Sequence, residues 1–308
     1  MRVYRDIAEF EKLSNAVVTQ GTFDGVHAGH KKILSHLKHR AEELKGESVV
    51  LTFFPHPRMV LFPDDDSVRL INTLEENIEQ FENAGVQHLI ILEFTAAIAK
   101  LSAVHFVRDI LVNAIGTKHL IVGYDHRFGR NREGSLSDLQ EFGHVYDFSI
   151  EKISEVDVNE ITVSSTKIRN AILAGDLFTA SSYLQRNFTL HGIVADGNKL
   201  GRTIGFPTAN VLVQEKYKIV PADGVYAVYV YLGEKKFPGM LNIGNRPTVN
   251  GINRVVEVNI FNFDAQIYKE NLIVEFVARI RDEQKFSDIE ALKNQLVKDK
   301  QIAIDILN

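Results

Sequence analysis

Apolar and polar residues follow one rhythm in the first 185 residues of the chain and a different rhythm after them. In the first part, apolar runs of strand length alternate with segments whose apolar residues recur every three or four positions, as on one face of a helix. This alternation indicates a parallel sheet with helices on both faces, and such sheets bind ligands at the carboxyl ends of their strands. The predicted strands are 16–23, 47–54, 88–94 and 119–125, and the predicted helices are 29–44, 74–85 and 102–115.

From about residue 188 the pattern is that of β-structure. Short apolar segments are separated by Gly, Pro, Asn and Asp, and they predict a compact antiparallel barrel or sandwich. The last twenty residues return to a helical pattern, with Ile289, Leu292, Leu296 and Ala303 on one stripe. Because 308 residues exceed what one core usually serves, we predict two domains, an α/β domain over 1–185 and a β domain with a terminal helix over 186–308.

Composition narrows the classes of function. The formal net charge is −5, which argues against a nucleic-acid partner because duplex-binding domains are usually basic. The chain has no cysteine, and this excludes disulfides, thiolate metal sites and a cysteine nucleophile. Charged residues occur early in the chain and the apolar runs are only strand-sized, so we expect no signal peptide, no membrane partner and a soluble cytoplasmic protein.

The first candidate site is the segment GTFDGVHAGH at 21–30, where a predicted strand meets a predicted helix. Backbone N–H groups at a helix start bind phosphates, and the helix dipole favours their charge. Gly21, Gly25 and Gly29 permit close backbone approach, while His27 and His30 add side-chain donors of the kind that nucleotidyl transfer requires. A zinc site with Asp24 as a third ligand is the weaker alternative.

A second segment, VSSTKIRNAILAG at 163–175, begins with good N-cap residues. Lys167 and Arg169 fall in the first helical turn, where positive charge opposes the helix dipole. An anionic ligand at this helix start would relieve that conflict, although two ordinary surface charges are the simpler interpretation.

The third segment, GNKLGRTIGFPTAN at 197–210, is glycine-rich but lacks the spacing of a Walker A loop. Without its last residues it would be interpreted as an ordinary hairpin. In an extended segment, however, Thr208 and Asn210 lie on the same side. Their hydroxyl and amide oxygens are hard ligands that suit Mg²⁺.

Four segments of the first half occur in the order that is typical of bacterial bifunctional riboflavin kinase/FAD synthetases. They are GTFDGVHAGH, TFFPHP at 52–57, VGYDHRFG at 122–129 and SSTKIR at 164–169. This half resembles the Rossmann-like HxGH nucleotidyltransferases. The resemblance implies ATP contacts by His27 and His30 in the catalytic role, supported by Gly21, Phe23, Gly25, Gly29, Ser165, Thr166 and Arg169. It also implies that Asp125 lies near the flavin or ribose, and Phe54, Phe62 and Phe128 are candidates for stacking on the flavin.

The second half resembles the riboflavin kinase domain of the same family. The matching segments are GRTIGFPTANV, GVYAV at 224–228, NIGNRPT at 242–248, VEVNIFNF at 256–263 and RDEQKF at 281–286. The resemblance implies that Thr208 and Asn210 hold Mg²⁺-ATP, that Gly197 and Gly205 contact the nucleotide and that Arg281 contacts the flavin. Glu257 would be the base for the riboflavin 5′-hydroxyl. A surface carboxylate is the alternative, but strand alternation places Glu257, Asn259 and Phe261 on one face.

The chain departs from the family pattern at several positions. Phe54 stands where the family often has an acidic residue and His126 where it often has Phe. Asn259 and Asn262 replace frequent His and Asp, while Lys269 and Gln185 replace frequent Gly. These differences bear on flavin affinity and on the efficiency of the kinase.

The resulting hypothesis is a bifunctional enzyme of FAD biosynthesis. The second domain converts riboflavin and ATP to FMN, and the first converts FMN and ATP to FAD and pyrophosphate. The expected cofactor is Mg²⁺, the expected partners are ATP, riboflavin and FMN, and a monomer is favoured. The alternatives are a chain with one activity, an HxGH adenylyltransferase for another phosphorylated acceptor, and a flavin-binding regulator.

Overall fold

The computed structural model describes residues 1–123, 127–153, 163–196, 200–248 and 251–308. The chain forms two compact units, Met1–Ser165 and Thr166–Asn308. The boundary between activities near residue 185 stays a prediction. Among the described residues, no helix combines the length and apolar character needed to span a membrane.

The first unit contains a six-stranded parallel sheet with the order β1-β4-β3-β2-β5-β6. Its strands are β1 (Arg2–Tyr4), β2 (Ala16–Gln20), β3 (Glu47–Phe54), β4 (His88–Glu93), β5 (Thr117–Val122) and β6 (Ser149–Lys152). Its helices are α1 (Ala28–Glu43), α2 (Pro57–Leu61), α3 (Leu74–Asn83), α4 (Ala96–Ala99), α5 (Ala103–His105, continuing as a π-helix over Phe106–Ile115) and α6 (Leu136–Tyr146).

Two apolar cores cover the two faces of this sheet. Successive side chains of a strand point to opposite faces, so Val18 packs in the core that contains the helix 106–115. Val17 packs in the core that contains residues of α1 and α3. The continuous apolar runs noted in the sequence are therefore central strands buried on both sides, as parallel sheets require.

The second unit is a closed antiparallel barrel with the order β10-β11-β8-β7-β12-β9. The predicted fold class is confirmed, and closure of the sheet resolves the alternative of a sandwich. The strands are β7 (Phe188–Ala195), β8 (Ala209–Leu212), β9 (Gly224–Leu232), β10 (Lys235–Thr248), β11 (Gly251–Ile260) and β12 (Asn271–Arg281). The helices are α7 (Ser165–Ala174), α8 (Leu177–Leu184), the short α9 (Leu200–Thr203) and the terminal α10 (Ile289–Leu307).

The terminal helix is part of the barrel unit. It packs against β9, β10 and β12, and Leu296 and Ala303 join the core around Phe206 and Met240. The predicted stripe is only partly correct, because Ile289 at the first turn is 60% exposed.

Candidate active sites

A cleft of about 640 Å³ opens where the strand order of the first unit reverses. Within the sheet, β3 lies beside β2 on one side, and β5, which comes later in the chain, lies beside it on the other. Ligands of open α/β sheets bind at such points. Thr19 and Gln20 at the end of β2 line the cleft, as does Gly123 directly after β5. The first predicted motif therefore borders this cleft.

The turn between β2 and α1 has a backbone that only some residues adopt easily. Gly25 has a φ of +84°, which lies in the left-handed region that favours glycine. A Cβ at this position would also lie 2.8 Å from Ile71 Cδ1. Gly29 is buried in the first turn of α1. This turn brings the start of α1 close to the end of β2.

His27 and His30 form a stacked pair, with ring centroids 3.6 Å apart. His27 is the N-cap of α1, and its Nδ1 accepts the His30 N–H at 3.4 Å. Burial lowers the pKa of His27 to about 4, against a smaller opposite effect from the backbone hydrogen bond. Burial and the neighbouring His27 lower the pKa of His30 well below its ordinary value. Both rings are therefore neutral at pH 7.

The neutral pair can still donate hydrogen bonds to a phosphate. Because Nδ1 of His27 accepts, the proton of the neutral ring belongs on Nε2. His30 lines the cleft, and its buried Nδ1 has no hydrogen-bond partner among the described residues. An unsatisfied buried polar atom beside a cleft fits a site that a ligand completes.

The surroundings do not favour the zinc alternative. Asp24 Oδ1 accepts the backbone N–H groups of Ile71 at 2.8 Å and Asn72 at 3.4 Å. In the part of the chain that the structure describes, no group of three or more His, Cys, Asp or Glu could hold a metal ion. Asp24 instead fixes the segment before α3 against the turn.

The structure joins Ser165 to the same turn. Its Oγ donates to the carbonyl oxygen of Asp24 at 3.0 Å. One turn further along α7, Arg169 Nη2 donates to Thr166 Oγ1 at 3.1 Å. Ser165 is therefore hydrogen-bonded to the first motif, and Thr166 is hydrogen-bonded to Arg169 within the segment.

The aromatic candidates of the first unit fall into two cavities. Phe128 and the exposed Phe62 line the large cleft. Phe54 lines a separate cavity of about 20 Å³ and packs against the core beneath α1 and α3. Asp125 and His126 lie outside the described residues.

Sequence reasoning missed several polar residues that line the cleft. Arg127 lies in the segment VGYDHRFG at 122–129 and Asn131 follows that segment, while His56 and Arg58 lie at the start of α2. His56 accepts the backbone N–H of Arg58 at 3.2 Å and so caps this helix. Both His56 and Arg127 lie within motif segments quoted from the sequence, so the motifs themselves were the available signal.

In the barrel, the candidate residues of the third motif and of VEVNIFNF meet across two strands. The antiparallel register pairs Asn210 with Glu257 and Ala209 with Val258. Directly opposite residues share one face of a sheet, and residues two positions apart along a strand share it too. Glu257 and Asn259 are buried, and they line a cavity of about 200 Å³ together with Thr208.

Thr208 lies between two cavities. It lines the 200 Å³ cavity and also a neighbouring one of about 70 Å³, which is bordered by Arg202, Phe263 and Tyr268. Nearby, Gly205 has a φ of +84° and, among the described residues, no atom within 4 Å of an added Cβ. Gly197 lies outside the described residues. A ligand in either cavity could reach the Thr208 hydroxyl.

Arg281 lines the 200 Å³ cavity, but its guanidinium is held by a carboxylate. Asp299 on α10 is fully buried and accepts from Arg281 Nε at 3.0 Å and from Nη2 at 2.7 Å. Sequence reasoning missed Asp299, and it also missed Asn242 and Gln284, which line this cavity. Asp299 comes from a distant part of the chain, so its pairing with Arg281 had no local signal.

Comparison with known proteins matches each half to a family model. A model described as FAD synthetase matches residues 9–167, and one described as riboflavin kinase matches 184–307. A bifunctional riboflavin kinase/FMN adenylyltransferase from Pseudomonas fluorescens is 41% identical over 281 residues, which cover 91% of this chain and 89% of the relative. The chain belongs to this bifunctional family. The Bacillus subtilis member is 37% identical over 299 residues, covering 96% of this chain and 93% of the relative.

A solved structure shares the fold over the whole length. The solved protein, described as a macrolide-efflux protein from Streptococcus pneumoniae, is 32% identical to this chain, with a TM-score of 0.88. The match covers 98% of each chain. The arrangement of an α/β unit followed by a barrel is therefore common to both.

Two of the departures expected from the family resemblance lie at turns with positive φ. Gln185 and Lys269 have φ values of +53° and +67°. Glycine adopts such left-handed conformations without the steric cost that other residues carry. Gln185 is the C-cap of α8, and the backbone N–H of Lys269 donates to Val194 at 2.8 Å. Both substitutions change the strain of a turn rather than the lining of the barrel's 200 Å³ cavity.

Proposed function

We propose that the barrel unit phosphorylates riboflavin to FMN and that the α/β unit transfers an adenylyl group from ATP to FMN, giving FAD. The observation that carries this proposal is that each unit has its own cavity, lined by its own candidate catalytic residues. His30 borders the 640 Å³ cleft and Glu257 borders the 200 Å³ cavity. ATP serves both reactions.

For adenylyl transfer, we propose that His27 and His30 hold the phosphates of ATP as neutral hydrogen-bond donors. An FMN phosphate oxygen forms a bond to the α-phosphorus, and the bond from that phosphorus to the pyrophosphate oxygen breaks. The start of α1 provides backbone N–H groups and a favourable dipole for the charge that develops. Ser165, at the end of the first unit, would contact a further phosphate, and Phe128 is the candidate for stacking on the flavin.

Because both histidines are neutral, positive charge in the cleft must come from other residues. Arg58 and Arg127 line it, but Arg58 pairs with Asp65 at 3.2 Å. We propose that Arg127 contributes to the binding of the two anionic substrates. Its guanidinium suits phosphate oxygens because it can donate two parallel hydrogen bonds.

For phosphoryl transfer, we propose that Glu257 accepts the proton of the riboflavin 5′-hydroxyl as the hydroxyl oxygen forms a bond to the γ-phosphorus of ATP. The bond from that phosphorus to the bridging oxygen breaks, and ADP leaves. Thr208 and Asn210 are the candidates to hold Mg²⁺ with ATP, because their side chains offer hard oxygen atoms on the face that carries Glu257. When bound, the ion would offset negative charge on the transferred group. The remaining requirement is orientation, which the paired strands β8 and β11 supply.

The test is to incubate the purified chain with riboflavin, ATP and Mg²⁺ and to separate FMN and FAD by chromatography. Accumulation of FAD is the expected result, and chelation of Mg²⁺ should abolish FMN formation. FMN without FAD would contradict the role of the α/β unit, and a second incubation with supplied FMN would verify that outcome. A chain that forms neither flavin product would contradict the proposal as a whole.

A further inference from the structure

Asn259 is a buried polar residue beside the proposed base. It lies two positions after Glu257 on β11, so the two side chains project from the same face. Both residues are 7% exposed and line the 200 Å³ cavity. A polar side chain so well buried needs a hydrogen-bond partner.

The partner of Asn259 is in the segment that leads into β8. Its Nδ2 donates to the carbonyl oxygen of Pro207 at 2.6 Å. The ladder between β8 and β11 pairs Asn210 with Glu257 and Ala209 with Val258, so Pro207 lies beyond these paired residues. The side-chain amide of Asn259 thus continues the connection between the two segments past this ladder.

This bond fixes the backbone on one side of Thr208, and the ladder fixes it on the other. Pro207 is held by Asn259, and Ala209 is held by its pairing with Val258. Thr208 itself is exposed, with its side chain at the boundary of the two cavities. Its position relative to Glu257 therefore depends on contacts made by its neighbours.

We propose that Asn259 is a positioning residue for phosphoryl transfer, which sets Thr208 at a fixed place relative to Glu257. The inference rests on the proposed kinase function of the barrel. It also accounts for the departure from the family pattern, because an imidazole N–H of the more frequent His could donate where the amide of Asn259 does.

The sharpest variant is Asn259→Asp, which keeps the shape of the side chain but replaces the N–H donor with an oxygen. Two acceptors would then face each other, and the segment holding Thr208 would move. We expect the KM for ATP in FMN formation to rise about tenfold or more and kcat to fall, because a buried hydrogen bond is lost. The KM for riboflavin should stay within about twofold of the parent, since the flavin side is unchanged.

Two further variants test whether the lost hydrogen bond, rather than the added negative charge or the identity of the side chain, causes the effect. Asn259→Ala removes the donor without adding charge, and it replaces the first variant if that chain does not fold. Asn259→His restores a donor and should return the KM for ATP to within about threefold of the parent. Asn294→Asp is the matched control, because it makes the same change at an exposed position on α10 that lines neither cavity.

The second activity of the same chain reports on folding in each preparation. Conversion of supplied FMN to FAD should match the parent in all variants. A cooperative unfolding transition should verify that the barrel is folded, at a lower midpoint where the buried hydrogen bond is lost. Parental kinetics in Asn259→Asp would overturn the inference, as would a rise in the KM for riboflavin alone, which would assign Asn259 to the flavin. A parent chain that forms no FMN would instead refute the proposed kinase function.

Discussion

The histidine pair shows how burial sets the chemistry of single residues. His27 is 6% exposed, and a charged imidazole there would lose its hydration without gaining a carboxylate. The ring is therefore neutral, and it can cap α1 through Nδ1 while it offers Nε2 as a donor. The same environment makes the folded state a poor acceptor of protons.

This predicts that the protein loses stability on mild acidification. The unfolded chain binds a proton at His27 near pH 6.5, whereas in the folded chain burial lowers the pKa to about 4. The neutral His27 ring therefore contributes to the free energy of unfolding in full above pH 6.5. This contribution is lost as the pH falls to about 4, which lowers the free energy of unfolding by about 3 kcal/mol. His27→Asn keeps a capping acceptor but does not titrate, so it should lose about 2 to 3 kcal/mol less between pH 7 and 4.5.

Urea unfolding followed by circular dichroism measures this difference, since the chain has no tryptophan. His144→Asn, at an exposed position on α6, is the control and should keep the parental pH dependence. If the free energy of unfolding falls equally in His27→Asn and in the parent between pH 7 and 4.5, the buried ring does not resist protonation.

Local sequence patterns predicted the residues of the motifs but not their distant partners. His27, His30, Glu257 and Thr208 were identified because each lies in a recognisable segment. Asp299 and the bond from Asn259 to Pro207 were not, because they join segments 18 and 52 positions apart. Pairings of this kind depend on the tertiary fold.

At the scale of elements, prediction worked where a strand or helix has a strong pattern of its own. The strand 47–54 is correct to the residue, whereas the strand 16–23 ends at Gln20, because the turn that follows has positive φ at Phe23 and Gly25. The edge strands β1 and β6 were missed because they have three and four residues and little burial. Helix α6 was also missed, although its capping box of Ser135 and Asp138 was a usable signal.

The end of α8 offers a test of element-level strain. Gln185 caps this helix with a φ of +53°, a conformation that costs a non-glycine residue about 1 to 2 kcal/mol. Gln185→Gly should therefore stabilise the barrel unit by about 0.5 to 1 kcal/mol, net of the greater freedom of glycine in the unfolded chain. Thermal unfolding of the full chain measures the effect.

The matched control is the cap of α3. Ala84 has a φ of −76°, which any residue adopts, so Ala84→Gly gains no relief of strain and should destabilise by about 0.5 to 1 kcal/mol. If both glycine variants shift stability in the same direction, left-handed strain at Gln185 is not the cause.

At the scale of the whole molecule, each of the two cavities is lined by residues of one unit. The residues that line the 640 Å³ cleft all belong to the first unit, and those that line the 200 Å³ cavity all belong to the second. The change of rhythm near residue 185 predicted two domains, and the boundary at that position stays a prediction. The apolar pattern alone left a barrel and a sandwich open, because closure depends on pairing between strands far apart in the chain, such as β7 with β12.

Because the two sites are separate, we expect that two variants, each with one site inactivated, make FAD when they are mixed. Glu257→Ala should slow FMN formation by about 10² to 10⁴, since a positioned base is lost, and should still convert supplied FMN to FAD. His27→Ala should form FMN but make FAD about 10² to 10³ more slowly, because a donor to the developing charge is lost. Mixed with riboflavin, ATP and Mg²⁺, the two chains should accumulate FAD after a lag, as FMN leaves one chain and binds the other.

The lag distinguishes this mechanism from residual activity in either variant. It should shorten as the amount of His27→Ala is raised at constant Glu257→Ala, and it should vanish when FMN is added at the start. A mixture that makes FMN but no FAD, while Glu257→Ala alone converts supplied FMN, would mean that FMN does not pass between chains. Loss of both activities in either folded variant would contradict the assignment of one activity to each unit, because damage at one site would then reach the other.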